Sequence, residues 1–219
     1  MPSCALQTTR VVIFAKAPES GKVKTRLIPV IGPQAATHLA RRMLADTLDR
    51  ALNSLVLGRV HTIELCMSPA PADPAWADFA LPSNVLCTAQ GDGDLGARMA
   101  RAARRVVAQE QQRVLLIGTD CPALSAALLT QAAQELSQHD AVMLPASDGG
   151  YVLLGLRAPC PELFSDMPWS TAAVGTETLY RMATLGLTVW QGPTLHDIDE
   201  PQDLQHVPES RFSSFFSLK

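Results

Sequence analysis

An α/β fold, with a mainly parallel sheet covered by helices on both faces, is predicted by three features of the sequence. Apolar runs of strand length, such as residues 11–14 and 113–118, alternate with segments whose apolar residues recur every three or four positions. The runs end abruptly in Gly, Asp or Pro, as in Gly118-Thr119-Asp120-Cys121-Pro122. Their length and branching suit strands buried on both faces, which is how helix-crossover sheets are built.

The elements follow in order. Residues 11–14 read as a buried strand, and residues 16–27, K-A-P-E-S-G-K-V-K-T-R-L, read as a loop because Pro18 and Gly21 interrupt any helix face. Gly32-Pro33 then opens a long helix whose apolar positions run from Ala36 through Leu39, Met43, Leu44 and Leu48 to Leu55. A second strand spans 60–67. A Pro-rich loop over 68–74 leads to a short turn around Trp76, and a third strand covers 84–89. Gly91, Gly93 and Gly96 permit a tight turn before a helix bearing Met99, Ala102, Ala103, Val106 and Val107.

Residues 113–118 form the most apolar strand, and Ser125 caps the helix that follows it through Leu136. Strands at 140–145 and 151–156 flank the turn Ser147-Asp148-Gly149-Gly150, the second being a neighbour or hairpin partner of the first. An irregular segment over 161–171 precedes a helix over 173–185 and a last strand over 188–191. The acidic run from His196 turns into a terminal helix beginning near Pro201. Neither a linker nor a repeat divides the chain, so residues 1–207 are expected to form a single nucleotide-binding domain and 208–219 a C-terminal tail. Packing of Phe212, Phe215 and Phe216 on the domain, or a disordered end, is the preferred reading of that tail over a homodimer or membrane contact.

Composition narrows the function. With 219 residues, 47% hydrophobic and 18% charged, the chain is long enough to bury a single substantial core. A formal charge of −3 gives no general attraction to nucleic acid, so none is expected as a partner. Five scattered cysteines without a C-x-x-C pair predict free thiols in a reducing, cytoplasmic setting and argue against structural zinc. No signal-like segment or membrane span is expected.

Against that acidic background the loop over 16–27 is basic. Lys16, Lys22, Lys24 and Arg26 are opposed there only by Glu19. Its place after a core strand, where open α/β sheets bind ligands, points to an anion such as a nucleotide phosphate held with help from Gly21 and Thr25. A solvated basic surface is the competing reading. Neither G-x-x-x-x-G-K-[ST] nor, after the first strand, G-x-G-x-x-G occurs, which disfavours a P-loop NTPase and a dinucleotide dehydrogenase; Gly91, Gly93 and Gly96 have the latter spacing, but after the third strand.

Carboxylates fall just after strands at Asp120, Asp148, Asp197 and Asp199. Such ends meet along one sheet edge, and a hard divalent cation bound to phosphates needs only one or two of them. Asp120 and Asp199 are the expected ligands of Mg2+ or Mn2+, with Asp197 beside them; helix capping is the alternative for Asp120. Asp148, Gly149 and Gly150 suggest close approach to a substrate hydroxyl, with turn geometry as the competitor. Trp169-Ser170-Thr171 either shapes an acceptor pocket or packs under a loop, the latter being preferred.

Taken in order, F-A-K-A-P-E-S-G-K-V-K-T-R-L, G-D-L-G-A-R-M, L-I-G-T-D-C-P, S-D-G-G-Y, P-W-S-T and D-I-D-E-P-Q-D-L resemble the bacterial glycosyltransferase-A-like proteins called selenodomain-associated transferases. The resemblance covers residues 11–204 and extends to nucleotide-diphospho-sugar transferases and, more distantly, to nucleotidylyltransferases. It implies a three-layer α/β/α sandwich of the nucleotide-diphospho-sugar transferase type. It further implies that Lys16, Gly21, Lys22, Lys24, Thr25 and Arg26 hold nucleotide phosphates while Asp120 and the acidic run with Asp197 and Asp199 hold the metal.

Two chemistries and one binding role remain open. In glycosyl transfer a small-molecule hydroxyl attacks a nucleotide-activated sugar, with Lys24 and Arg26 stabilising the departing diphosphate and Asp148 as base. In nucleotidyl transfer a phosphorylated acceptor displaces pyrophosphate from a nucleoside triphosphate. A non-catalytic nucleotide-binding module is the third. The resemblance favours the sugar-nucleotide donor, and that is the expectation carried forward.

Overall fold

The structure is a computed structural model that describes residues 8–207. The tail residues Phe212, Phe215 and Phe216, and Cys4, lie outside the described residues. Seven strands form one sheet: β1 (Thr9–Lys16), β2 (Thr62–Ser68), β3 (Leu86–Ala89), β4 (Arg113–Ile117), β5 (Ala141–Pro145), β6 (Tyr151–Leu156) and β7 (Val189–Gln191). Their spatial order is β3-β2-β1-β4-β6-β5-β7. Every neighbouring pair is parallel except those made by β6, which runs antiparallel between β4 and β5. The mainly parallel sheet is therefore as expected, and 151–156 is a hairpin partner of 141–145.

Side chains alternate across this sheet and so build two cores. Val11, Ile13 and Ala15 of β1 face α1 (Ile28–Val56) and α3 (Ala126–Glu135) through Leu44, Leu48, Leu129 and Ala132. Val12 faces α2 (Leu95–Arg104) and α4 (Val174–Thr184) through Met99, Ala102 and Met182. Helices on both faces make the three-layer α/β/α sandwich. Strand β1 is wholly apolar in its middle because both of its faces are covered.

Local chemistry sets the boundaries. Gly32 has φ 79° and ψ 160°, a conformation that glycine adopts without strain, and it breaks α1 so that the long run of helix starts at Pro33. Ser125 accepts from the Leu128 amide and caps α3, and Asp94 does the same for α2 at the Ala97 amide. After β7 the expected terminal helix begins at Pro201. It is a 3-10 helix, Pro201–His206, whose Asp203 carboxylate accepts the amides of Asp199 (3.0 Å) and Glu200 (2.7 Å). Those bonds hold the turn against the preceding acidic run.

One charged group lies deep in the sheet. Glu64 of β2 is fully buried, and its carboxylate is reached by Arg10 at 3.0 Å, by Thr88 at 2.6 Å and by Arg105. Burial pushes its pKa up, but the hydrogen bonds of Arg105, Thr88 and Arg10 prevail and hold it below the ordinary glutamate value. Cys66, Cys87, Cys121 and Cys160 are free thiols. Among the described residues no helix is long and apolar enough to cross a membrane.

Candidate active site

The carboxyl ends of β1, β4 and β5 open on a cleft of about 670 Å³. Its position follows from the topology, since loops after parallel strands gather at one sheet edge. An isolated bridge between Ala146 and Leu195 continues the β5–β7 pairing and leads residues 195–199 along that edge. Ile198 is fully buried with Leu27, Leu39 and Met43, so its neighbours Asp197 and Asp199 are turned toward the cleft, which both line. The Ile198 amide donates to the Asp120 carbonyl at 2.8 Å, which ties this segment to the end of β4.

The basic loop is fastened to the same segment. Lys24, with φ 47°, places its amine 2.7 Å from Asp120 Oδ1, 3.7 Å from Asp199 Oδ1 and 2.5 Å from the Ile198 carbonyl oxygen. That side chain is only 5% exposed. Arg26 donates to Asp199 Oδ2 at 2.7 Å and lies 3.7 Å from Glu200, with its guanidinium more than half exposed on the cleft wall. Asp120 therefore does not cap a helix. Its carboxylate answers Lys24, and the capping role falls to Ser125.

The remaining members of the predicted set divide. Asp148 and Gly150 line the cleft beside Asp197, Asp199 and Arg26. Lys16, exposed at the end of β1, and Gly21, Lys22 and Thr25, exposed on the loop, stand outside the lining. Lys22 pairs with Glu19 at 2.9 Å. Gly149, at φ 92°, has a local reason to be glycine: a Cβ there would lie 2.2 Å from the Ala172 carbonyl oxygen. Its own carbonyl accepts from the Gly175 amide at 2.8 Å, so the turn is clamped to the start of α4. Asp148 Oδ1 accepts the Gly150 amide at 2.8 Å and completes that turn.

Several cleft residues escaped the sequence reading. Glu200, Gln202 and Asp203 line one wall, and Tyr151 and Leu95 the other. The pattern E-P-Q-D was the available signal for the first group, since an acid three positions into a Pro-led turn marks a capping arrangement.

Asp197 is the most perturbed carboxylate of the cleft. Burial raises its pKa above the ordinary aspartate value, and the charges of Asp148, Asp203 and Asp120 push it further in the same direction. Among the described residues, Lys24 and Arg26, the cations bonded to Asp120 and Asp199, are not bonded to Asp197 or Asp148. Among those residues, no three acids, histidines or cysteines are gathered closely enough to form a ready-made metal cage. An all-oxygen set with uncompensated like charge suits a hard divalent ion that keeps water and substrate phosphates in its shell. The donor set thus fits Mg2+ or Mn2+.

The fold is that of the nucleotide-diphospho-sugar transferase class. The chain belongs to the family described as "Uncharacterized protein conserved in bacteria (DUF2064)", whose model matches residues 47–171. A crystal structure of a candidate nucleotide-diphospho-sugar transferase from Desulfovibrio desulfuricans G20 is 32% identical, covering 98% of this chain and 92% of that one, with a TM-score of 0.83. The fold is shared at lower identity by CMP:2-keto-3-deoxy-manno-octonic acid synthetase complexed with CTP: 14% identity, 96% and 100% coverage, TM-score 0.56. It is shared too by Rv0371c of Mycobacterium tuberculosis H37Rv in complex with manganese: 18% identity, 93% and 99% coverage, TM-score 0.51. No curated protein matches the chain.

Proposed function

We propose that the chain is a transferase that takes a nucleotide-activated sugar with Mg2+ or Mn2+ and passes the sugar to a small hydroxyl compound. The observation that carries the reading is the pair of contacts joining the basic loop to the strand-end acids: Lys24 to Asp120 and Arg26 to Asp199, each 2.7 Å. Cations and carboxylates held together at one strand-end edge of the sheet suit a metal-bound diphosphate better than either set alone. The name of the Desulfovibrio relative supports the sugar-nucleotide donor.

Asp197 and the oxygen of Asp120 not bonded to Lys24 would hold the metal, with Asp199 chiefly an anchor for Arg26. The ion, when bound, neutralises charge on the phosphates and favours their departure. Arg26 binds a phosphate oxygen from the cleft wall, while Lys24 acts as a positioning residue that fixes Asp120. Lys16, Gly21, Lys22 and Thr25 extend the basic rim toward the outer part of a nucleotide. The oxygen of Asp148 that is free of the Gly150 amide accepts the acceptor's hydroxyl proton, beside the Gly150 wall of the cleft. The acceptor oxygen then bonds to the anomeric carbon, and the bond from that carbon to the diphosphate oxygen breaks, its electron pair leaving with the nucleoside diphosphate.

Nucleotidyl transfer is the second reading, favoured by the shared fold of the CTP-bound synthetase. Incubation with MgCl2 or MnCl2 and a panel of nucleoside triphosphates and sugar nucleotides separates the two. Release of nucleoside diphosphate is expected. Pyrophosphate as the sole product would remove the glycosyl reading, and binding without turnover would leave a nucleotide-binding module.

A further inference from the structure

We propose that the acceptor taken by this cleft is an uncharged or cationic hydroxyl compound with one apolar face, seated on Trp169, and not a phosphorylated molecule. The inference rests on the transferase reading above and concerns the half of the cleft that the nucleotide does not use.

Charge is the first ground. Among the described residues, the cleft lining holds five carboxylates, Asp148, Asp197, Asp199, Glu200 and Asp203, against a single guanidinium, that of Arg26. Arg26 is already bonded to Asp199, and the Lys24 amine beneath the cleft is bonded to Asp120 and the Ile198 carbonyl. A metal-bound nucleotide takes up the positive charge that remains. A second phosphate entering beside it would meet carboxylates with no cation to answer it, and like charges at such range repel strongly where water is partly excluded.

The apolar part of the lining is the second ground. Phe14, Met99, Tyr151 and Trp169, all in or against the core on the α2 face of the sheet, give it aliphatic and aromatic surface together with Leu95 of α2. The Tyr151 hydroxyl lies 4.0 Å from the Met99 sulfur, and burial pushes the phenol's pKa well up, so it stays a neutral donor. Trp169 is held in place by a glycine: a Cβ on Gly96 would sit 2.7 Å from the indole Nε1. An indole and a neutral hydroxyl in the same cleft as five carboxylates are the chemistry that receives the C–H face of a polyol, or an ammonium over the ring. Asp148 lines the same cleft and offers the base that an acceptor hydroxyl needs. Ser170, at φ 64°, and Thr171, bonded to the Pro168 carbonyl at 2.8 Å, fix the turn that presents Trp169.

The test supplies acceptors in matched pairs, glucose with glucose 6-phosphate, glycerol with glycerol 3-phosphate and ethanolamine with phosphoethanolamine, to the full chain with MgCl2 and the donor panel. Release of either leaving group is scored. Pyrophosphate would therefore end the glycosyl reading without touching this inference. The unphosphorylated member is expected to stimulate release at least tenfold more than its partner. Trp169→Ala is expected to raise the KM for that acceptor at least tenfold while nucleotide affinity changes less than twofold, and Trp169→Phe to restore much of it. Leu95→Arg places a cation at an exposed position on the apolar wall, and it is expected to shrink the discrimination about tenfold. Equal or better transfer to the phosphorylated members, stimulation by no member of any pair, or an unchanged acceptor KM in Trp169→Ala would each overturn the inference.

Discussion

The amine of Lys24 lies 2.7 Å from the carboxylate of Asp120 and is almost wholly buried, whereas Arg26, two residues on, keeps more than half of its guanidinium exposed. Two cations of one basic loop thus have different work. Lys24 fastens the loop to the end of β4 and to the Ile198 backbone, and Arg26 lies on the cleft wall, bonded to Asp199.

Substitutions at the two sites should separate accordingly. Lys24→Ala removes charged hydrogen bonds from a buried position, a loss of about 2 kcal/mol, equivalent to about 4–8 °C in Tm for a chain of this size. Arg26→Ala breaks an exposed pair and should cost less than about 1 kcal/mol of stability. Its nucleotide affinity should nonetheless fall about tenfold or more, which is the worth of one charged hydrogen bond. Thermal melts and nucleotide titrations of both variants check this. Equal destabilisation by the two would show that Lys24 is not the fastener.

The difference between the two residues was not legible in the sequence. Continuous apolar runs fixed the strands, because a strand covered on both faces has no polar alternative, and the strand ends fixed which edge the acids share. What alternation cannot say is which side chain reaches which. Arg26 and Asp199 are 173 residues apart, and their contact depends on Ile198 being drawn into the pocket of Leu27, Leu39 and Met43. The place of β6 was equally hidden: a hairpin partner of β5 can lie on either side of it, and here it enters between β4 and β5. The terminal helix begins at Pro201 as expected, and it is a 3-10 helix whose Asp203 takes the Asp199 and Glu200 amides.

Gly149 supplies a second test. Alanine there would combine a left-handed backbone with a Cβ 2.2 Å from the Ala172 carbonyl, and relief would require moving the segment that leads into α4. Gly149→Ala should lose more than about 2 kcal/mol. Gly21, with a similar φ of 77° and nothing within 4 Å of its virtual Cβ, should lose only about 1 kcal/mol on the same change. Chemical denaturation of the two variants distinguishes steric need from backbone strain. Comparable losses would mean that the Ala172 contact does not constrain the turn.

The buried Glu64 gives a pH-dependent prediction. Its folded pKa is lowered from the ordinary 4.5, so the stability it supplies is fully present above the unfolded value and is lost as pH falls through the folded one. Glu64→Gln leaves Arg10 and Arg105 with Glu110 as their remaining carboxylate, at a cost of up to about 3 kcal/mol near neutral pH. The gap between wild type and variant should narrow as the buffer is taken below about pH 4.5. A gap that stays constant down to pH 3 would locate the cost in packing and not in charge.

Asp197 carries the opposite sign. Burial, with the charges of Asp148, Asp203 and Asp120, raises its folded pKa above the ordinary 3.8, so the ionised form is a cost to the metal-free protein. That cost is fully present above the folded pKa and disappears below the unfolded one. Asp197→Asn should therefore raise the Tm in chelator at neutral pH, with the gain shrinking as the buffer is acidified. A divalent ion relieves the same repulsion by binding the charged form. MgCl2 or MnCl2 should accordingly stabilise the wild type, release a proton in proportion to the fraction of Asp197 still protonated, and leave the Asn variant nearly unmoved. If the variant melts lower than wild type in chelator and gains equally from the metal, the acids of the cleft are held by some other force and Asp197 is not where the ion sits.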